Sequence, residues 1–404
     1  PYAPLGLEIQ HRLGHLGEEL TRPIWSPSRL EAWLKCPRMA WAKQYLGADA
    51  EQGDTPEDID LRMRGILLHE VEGALLAAHG LSVGGEELQH GEALHAGPVG
   101  SPEAGWHAIL AHLVEHAPWL GKHHAVSVHR TRDLLNMTSE DWRAFQEEDV
   151  EPEIAGRLGR LLLADLELHH AAPIACEWRS VASGERAVTI DATNEEGESA
   201  PFSLSGWADR VDVVILPETV QKHLEERGLI DGNTTHTTPY PMDGSSRAAQ
   251  RFVIIRDLKS VRGPTAQTAG LRHMGCLFQD LQLALYARAW ELTHPNDRVV
   301  GVGATEIGEF TQHYVELDTD VSEPLKDLEF GTQTHHLIHH FPSIEDEALS
   351  RSSFRTWMQE RLKVARRAIT AAQSGHVNPT PSSACGYCPI RTSCSVSSYD
   401  GRGF

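Results

Sequence analysis

Apolar residues recur at helical spacing in two stretches near the start of the chain. The first stretch follows a capping box formed by Ser28 and Glu31, and Pro37 is expected to bend or divide the helix. The second stretch predicts an amphipathic helix over residues 61–78, which carries His69. Further helices are predicted over residues 104–117, 139–149, 152–170, 276–293 and 351–373.

Short apolar runs in the second half of the chain predict the strands of a sheet. Their β-branched and aliphatic residues, bounded by Gly, Pro and polar clusters, are typical of strands. Strands and helices in this mixture predict an α/β fold in which a central mixed sheet is flanked by helices. The predicted strands cover residues 175–181, 187–192, 202–204, 208–216, 252–257, 299–305 and 313–317.

Three stretches lie outside the predicted core. Residues 1–24 show little periodicity and are expected to form a linker or arm, and residues 397–404 are expected to form a tail. Residues 217–251 are polar and rich in Gly, Pro, Thr and Ser, so we predict an insertion that is helical at 218–227 and otherwise loose. A single domain is predicted over residues 25–396.

The composition is that of a globular protein from a reducing compartment. The 404 residues are 40% hydrophobic, enough for a large core, and no apolar run is long enough to span a bilayer. Six cysteines without a secretory signal favour the cytoplasm. The first residue is Pro1 rather than Met, as expected for a fragment of a longer polypeptide.

The net charge of -21 limits what the surface can bind. Proteins that coat duplex DNA carry basic surfaces, and this chain as a whole does not. A polyanion is therefore expected to enter through a local basic or metal-lined channel. The basic segment at residues 351–367 is the candidate for a DNA-backbone track, although such a segment can also be a solvated helix face. Its cationic residues include Arg355, Arg361, Lys363, Arg366 and Arg367.

Four cysteines bracket almost the whole chain. Cys36 lies near the start, and Cys385, Cys388 and Cys394 form a C-x2-C-x5-C segment near the end. Four thiolates suit either a tetrahedral zinc ion or an iron–sulfur cluster. Either metal centre would join the two ends of one domain.

Two acidic residues and a lysine lie on predicted strands. Asp257 and Lys259 are two residues apart, so they project to the same side of one strand, and Asp209 lies on another strand. Two such carboxylates can hold a hard cation such as Mg²⁺ or Mn²⁺, and the lysine can orient water or stabilise charge on a phosphate. By itself the D-x-K motif is weak, because any surface strand can carry it.

Three polar residues on predicted helices have both functional and ordinary interpretations. A histidine on an amphipathic helix, such as His69, is usually a packing residue. Gln282 and Tyr286, at i and i+4, share a helix face and offer an amide and a phenol to a phosphate or base. Taken alone, the pair is typical of a core helix.

The order of the motifs along the chain resembles that of a known family. In chain order the motifs are Gly65-Ile-Leu-Leu-His69, Gly206-Trp-Ala-Asp209, Asp257-Leu-Lys259, Gln282-x3-Tyr286 and the C-x2-C-x5-C segment. This succession is similar to the iron–sulfur PD-(D/E)XK nucleases of the RecB-like group, which include AddB-type helicase–nuclease domains and RecB-family exonucleases. The resemblance implies a restriction-endonuclease-like core with large helical additions and an iron–sulfur cluster that holds the C-terminus.

The resemblance also implies an active site. His69, Asp209 and Asp257 would be ligands of a Mg²⁺ or Mn²⁺ ion, and Lys259 would be the catalytic lysine. Glu177 falls where some relatives place another acidic residue, so it is a further candidate.

Other motif residues take supporting roles by the same resemblance. Gln282 and Tyr286 would form the helix motif of the active site. Arg210 is a candidate for a phosphate contact, and a salt bridge to Asp212 is an equally simple role for it. A 4Fe-4S cluster with a structural role would be held by Cys36, Cys385, Cys388 and Cys394.

The implied function is metal-dependent hydrolysis of DNA phosphodiester bonds, on single strands or ends, in recombinational repair. No Walker A motif occurs in the sequence, so a helicase partner would supply unwinding. The family also contains a CRISPR-associated nuclease that trims prespacers, but the long region at 79–170 argues against that compact branch. Two rival functions stay open: a non-catalytic DNA-end-binding subunit of a helicase–nuclease complex, and an unrelated protein with a structural zinc ion.

Overall fold

The fold is given by a computed structural model that describes residues 24–48, 69, 168, 170–180, 185–243, 245–260, 281–307, 311–325, 327–328, 330, 333–336 and 353–394. His69 is helical, as predicted, and the rest of the predicted helix at 61–78 lies outside the described residues. The helices predicted between residues 104 and 170 also lie outside them, except for Leu168 and His170, which are not helical. The predicted arm and tail lie outside them as well, apart from the arm's last residue.

A mixed sheet of six strands forms the centre of the described fold, with strand order β1-β4-β5-β6-β7-β8. The pairs β5–β6 and β7–β8 are parallel, and the other neighbours are antiparallel. Strands β2 and β3 form a separate antiparallel pair. The strands are β1 (Ala171–Arg179), β2 (Val188–Ile190), β3 (Phe202–Leu204), β4 (Trp207–Val214), β5 (Arg251–Ser260), β6 (Asp297–Ile307), β7 (Thr311–Leu317) and β8 (Gln333–His336).

Helices flank this sheet, which confirms the predicted α/β class. None of the helices among the described residues is both long and apolar enough to cross a membrane. The helices are α1 (Pro27–Lys35), α2 (Pro37–Tyr45), α3 (Glu218–Glu226), α4 (Gln282–Thr293), α5 (Thr319–Leu325) and α6 (Ser353–Gln373).

Cys36 separates α1 from α2, as the adjacent proline predicted. Its φ of -165° is extended, and Pro37 then occupies the first turn of α2, where a missing N–H costs no hydrogen bond. The predicted cap of α1 was wrong, because Ser26 rather than Ser28 accepts a hydrogen bond from the Arg29 backbone N–H, at 3.3 Å. Pro27 directly after Ser26 explains the earlier start.

The hydrophobic core has a part on each side of the sheet. Alternate residues of β5 show the division, since Val253 and Ile255 pack with residues of α1, α4 and α6, whereas Phe252 and Ile254 pack with residues of α3 and α5. The strand continues beyond this apolar run to Ser260, so Asp257 and Lys259 are held by a regular ladder to β6.

The insertion at 217–251 contains the predicted helix, α3, but the rest is packed rather than loose. Tyr240 is only 2% exposed, and its carbonyl oxygen accepts a hydrogen bond from Arg288 at 2.7 Å. A bridge also pairs Ile230 with Ala249. Apolar residues spaced between the polar ones anchor this segment to the core, which its polar composition concealed.

Candidate functional site

Three side chains that can ligate a metal ion meet where β1 and β4 pair. The Nδ1 atom of His69 lies 2.9 Å from Glu177 Oε1 and 3.8 Å from Asp209 Oδ1. One potential ligand atom of each residue lies within 4.8 Å of the other two, which makes them the single such group among the described residues. Two of these residues were predicted as site residues and the third, Glu177, as a further candidate.

The strand register explains why Glu177 reaches this place. Cys176 pairs with Arg210 and Trp178 with Ala208, so Glu177 stands opposite Asp209. Glu177 has a φ of 48°, the only positive value for a non-glycine residue in the described part of the chain. A left-handed conformation typically costs a side-chain-bearing residue about 1–2 kcal/mol and is often found at functional sites.

Asp257 lies beside this group, on β5. Burial raises the pKa of Asp257 to about 7, with the negative charge of Asp209 as the second cause, and Lys259 offsets only part of the shift. The Lys259 ammonium lies 2.5 Å from Asp257 Oδ2. Asp209 in turn accepts a hydrogen bond from the Leu258 backbone N–H at 2.7 Å. The Asp209 and Asp257 carboxylates are thus held close together, and the Lys259 ammonium only partly offsets their negative charge.

Helix α4 supports both strands from one side. Gln282 donates a hydrogen bond to Asp257 Oδ1 at 2.9 Å, and the Tyr286 hydroxyl accepts one from the Trp207 backbone N–H at 3.1 Å. A Cβ atom at Gly206 would lie 2.6 Å from the Tyr286 hydroxyl oxygen, so glycine allows this approach. Burial raises the pKa of Tyr286, as does the charge of Asp209, which keeps the phenol protonated. Both residues therefore hold the site in position.

Arg210 points away from this group. It is 2% exposed, and its Nε lies 2.6 Å from Asp212 Oδ1, while Arg256 bonds to the other oxygen. Burial acts to raise the pKa of Asp212, but the charges of the two arginines outweigh it and the pKa is lowered. The salt bridge to Asp212, one of the two roles predicted for Arg210, is therefore the one present in the structure, and alternation along β4 directs Arg210 to the side opposite Asp209.

The four predicted cluster cysteines line one cavity between α2 and the C-terminal 3₁₀ helices, Ser383–Tyr387 and Arg391–Ser393. The Cys36 sulfur accepts a hydrogen bond from the Thr380 backbone N–H at 3.4 Å, and burial raises the pKa of Cys388, as do the other three cysteines. No three of these sulfurs lie within 4.8 Å of one another in the described chain. Sulfurs bound to one zinc ion would be about 3.8 Å apart, so a single-ion site is not preformed.

One of the five cations named for the candidate DNA-backbone track on helix α6 is buried and cannot join such a track. Arg355 is buried and donates a hydrogen bond to Glu291 at 2.8 Å. Of the remaining cations, Lys363 pairs with Glu360, also at 2.8 Å. Trp357 is 2% exposed. The helix therefore serves mainly to cover the core.

Two buried acids on the neighbouring strands were missed at the level of the sequence. Glu306 on β6 is the register partner of Lys259, and Glu316 lies on β7. Burial raises the pKa of Glu316 to about 8. Acidic residues inside apolar strand runs were the available signal for both.

A segment in the second half of the chain matches a known family. Residues 245–395 match the model described as PD-(D/E)XK nuclease superfamily, a stretch that includes Asp257, Lys259, Gln282 and Tyr286. No curated protein matches the chain. The match supports a PD-(D/E)XK nuclease superfamily domain over residues 245–395, and members of this superfamily are generally hydrolytic nucleases that use divalent metals.

Proposed function

We propose that this protein is a Mg²⁺- or Mn²⁺-dependent nuclease that hydrolyses phosphodiester bonds of DNA. The observation that carries the proposal is the convergence of His69, Glu177 and Asp209, with Asp257 and Lys259 beside them on the next strand. The family match of residues 245–395 covers the second of these two groups.

The donor set fits a hard divalent cation. Three carboxylates and an imidazole offer oxygen and nitrogen ligands, and burial together with the negative charge of Asp209 raises the pKa of Asp257. We assign His69, Glu177, Asp209 and Asp257 as the residues that would hold the ion. When bound, such an ion polarises a phosphoryl group and lowers the pKa of a coordinated water.

The protein's own groups supply orientation and charge. Lys259, held against Asp257, places an ammonium group where it can stabilise negative charge on a phosphate. Gln282 fixes the Asp257 carboxylate, and Tyr286 fixes the strand that carries Asp209. These two residues are assigned to positioning rather than to contact with the substrate.

The finer proposal is a nuclease of the RecB-like group that acts on single strands or DNA ends, with a helicase partner and a 4Fe-4S cluster. The motif order supports the group, and the convergence of Cys36, Cys385, Cys388 and Cys394 on one cavity supports a metal centre there. Iron and sulfide analysis of anaerobically purified protein tests the cluster, and zinc without iron would contradict it.

The deciding experiment is cleavage of end-labelled single-stranded DNA with Mg²⁺ or Mn²⁺. Asp257→Ala and Lys259→Ala are expected to abolish metal-dependent cleavage, and the exposed Asp243→Ala is the matched control that retains it. Full activity in both site variants would overturn the proposal. DNA binding by the wild-type protein without cleavage under either metal would indicate a non-catalytic DNA-end-binding subunit.

A further inference from the structure

Trp207 is an exposed aromatic residue on a largely buried strand. Its side chain is 47% exposed, whereas the next four residues of β4, Ala208 to Val211, are all buried. Leaving a large apolar surface in water forgoes the free energy of burial, and single-stranded nucleic-acid sites use exposed aromatic rings of this kind. The position of this ring relative to the carboxylate group indicates a role in binding.

Trp207 extends the line of paired residues that forms the candidate active site. The register pairs Trp207 with Arg179, while Asp209 lies two residues after Trp207 on β4 and Glu177 lies two residues before Arg179 on β1. Trp207 and Asp209 are two residues apart on β4, so their side chains project to the same side of the strand. Two residues of a strand span about 7 Å, so the ring stands next to the carboxylates.

A cation accompanies the ring. The guanidinium carbon of Arg179 lies 5.9 Å from the centroid of the Trp207 ring, within the range of a cation–π contact, and Arg179 is itself exposed. A planar aromatic face and an arginine beside it are complementary to a nucleotide, because the face stacks on a base and the guanidinium pairs with a phosphate.

The backbone of Trp207 is fixed to the helix that also fixes the active site. The Tyr286 hydroxyl accepts the hydrogen bond of the Trp207 N–H at 3.1 Å, and Gln282, one turn earlier on α4, holds Asp257. The same helix therefore positions the backbone of Trp207 and the Asp257 carboxylate, as a preorganised binding site requires.

We propose that Trp207 and Arg179 form a stacking platform for an unpaired base next to the phosphodiester bond held at the carboxylates. This inference rests on the proposed function and names its substrate as single-stranded DNA or a frayed end. Inside a duplex both faces of a base are covered by its neighbours, so the platform favours unpaired nucleotides. Because every base has an aromatic face, it carries little sequence preference.

The test compares Trp207→Ala and Trp207→Phe with the wild-type protein. Fluorescence anisotropy in Ca²⁺ gives the Kd for a labelled oligothymidine and for a blunt duplex. Tyr387→Ala is the matched control, because Tyr387 is 57% exposed and has Lys43 over its ring, but it lies in the cysteine segment. A thermal melt of each variant establishes that it is folded.

We expect Trp207→Ala to raise the Kd for oligothymidine by about 5- to 150-fold, the loss of one stacked base. Trp207→Phe should restore part of it, and duplex binding and Tyr387→Ala should change little. An unchanged Kd for oligothymidine, or an equal loss on duplex, would overturn the platform, since Arg179 would then merely cover the ring.

Cleavage is measured separately, so the two proposals fail independently. A wild-type protein that cleaves DNA while Trp207→Ala binds oligothymidine equally well keeps the nuclease and removes the platform. A wild-type protein that never cleaves, but whose oligothymidine binding depends on Trp207, keeps the platform and removes the nuclease. Absence of oligothymidine binding by the wild-type protein also overturns the platform.

Discussion

Two buried acid clusters lie on opposite sides of strands β4 and β5, and they differ in charge balance. On one side Asp212 lies between Arg210 and Arg256, and its pKa is lowered. On the other side Asp257 lies beside Asp209, with Lys259 as the cation in contact, and its pKa is raised to about 7. Two buried aspartates a few positions apart thus differ in their partners, because Asp212 lies between two cations whereas Asp257 lies between one cation and a second carboxylate.

This difference in charged partners distinguishes a carboxylate with a structural role, Asp212, from one with a proposed chemical role, Asp257, within one pair of strands. A buried carboxylate whose cations are supplied by the protein cannot be removed without leaving buried charges that have lost a partner. A buried group of carboxylates without enough cations gains the most from a charge that arrives from outside, such as a metal ion. Burial alone would not distinguish the two aspartates, because Asp212 and Asp257 are 0% and 3% exposed.

The strongest test of the contrast between the two clusters is Asp257→Asn. We expect metal-dependent cleavage to fall about 1000-fold, because a ligand and the partner of Lys259 are lost. The melting temperature should stay the same or rise, since the repulsion with Asp209 is removed. Single-turnover cleavage and a thermal melt check both parts, and a large loss of stability would contradict the assignment.

The matched change on the other side, Asp212→Asn, should do the reverse. It leaves Arg210 and Arg256 buried without their carboxylate, which typically costs about 3–5 kcal/mol of unfolding free energy. Denaturant unfolding measures this cost, with the exposed Asp243→Asn as the control. Should Asp257→Asn prove the more destabilising variant, the contrast between the clusters would be wrong.

Glu316 tests how burial changes the pKa of a carboxyl group when no neighbouring acid contributes to the shift. Its pKa is raised to about 8 by burial, from an ordinary value of 4.5. Between these two values the folded state binds a proton that the unfolded state has lost, so stability falls as pH rises through this window. The slope is at most about 1.4 kcal/mol per pH unit. Glu316→Gln should flatten it, as measured by unfolding at several pH values, and an unchanged slope would contradict the assignment.

Tyr286→Phe tests the same contrast by removing one hydrogen bond on the side of the sheet that carries the carboxylate site. The hydrogen bond from the Trp207 N–H is lost, and we expect a cost of about 1 kcal/mol with little change in packing. The rate of cleavage should fall because Asp209 is less well placed. The intrinsic fluorescence should stay that of the folded protein. A matched Tyr240→Phe variant, whose hydroxyl donates to the Arg247 carbonyl oxygen away from the site, should leave cleavage intact.

Local patterns in the sequence predicted much of the fold and part of the candidate site. The β5 run, the break at Cys36 and the pair Gln282 and Tyr286 follow from spacing within one element, and the structure places them as expected. What these residues do chemically stays a prediction, to be tested by the variants above.

Features that depend on distant partners were not predictable in this way. Arg355 is one of several cations on its helix, and only the tertiary fold brings Glu291 to it. Glu177 takes its place from the register with β4 and from a left-handed backbone that glutamate rarely adopts. The acid at a site and the acid in a salt bridge have the same local sequence signature, so their neighbours decide.

The close approach of Gly206 to Tyr286 has a consequence for how such sequences can diverge. A methyl group at 206 would lie 2.6 Å from the phenolic oxygen and 2.9 Å from the ring, so position 206 cannot take a larger residue while Tyr286 stays in place. Among homologous chains, a larger residue at 206 should occur together with a smaller one at 286, as a covarying pair. An alignment of such chains would then show correlated replacements at positions 206 and 286 rather than independent variation at each position.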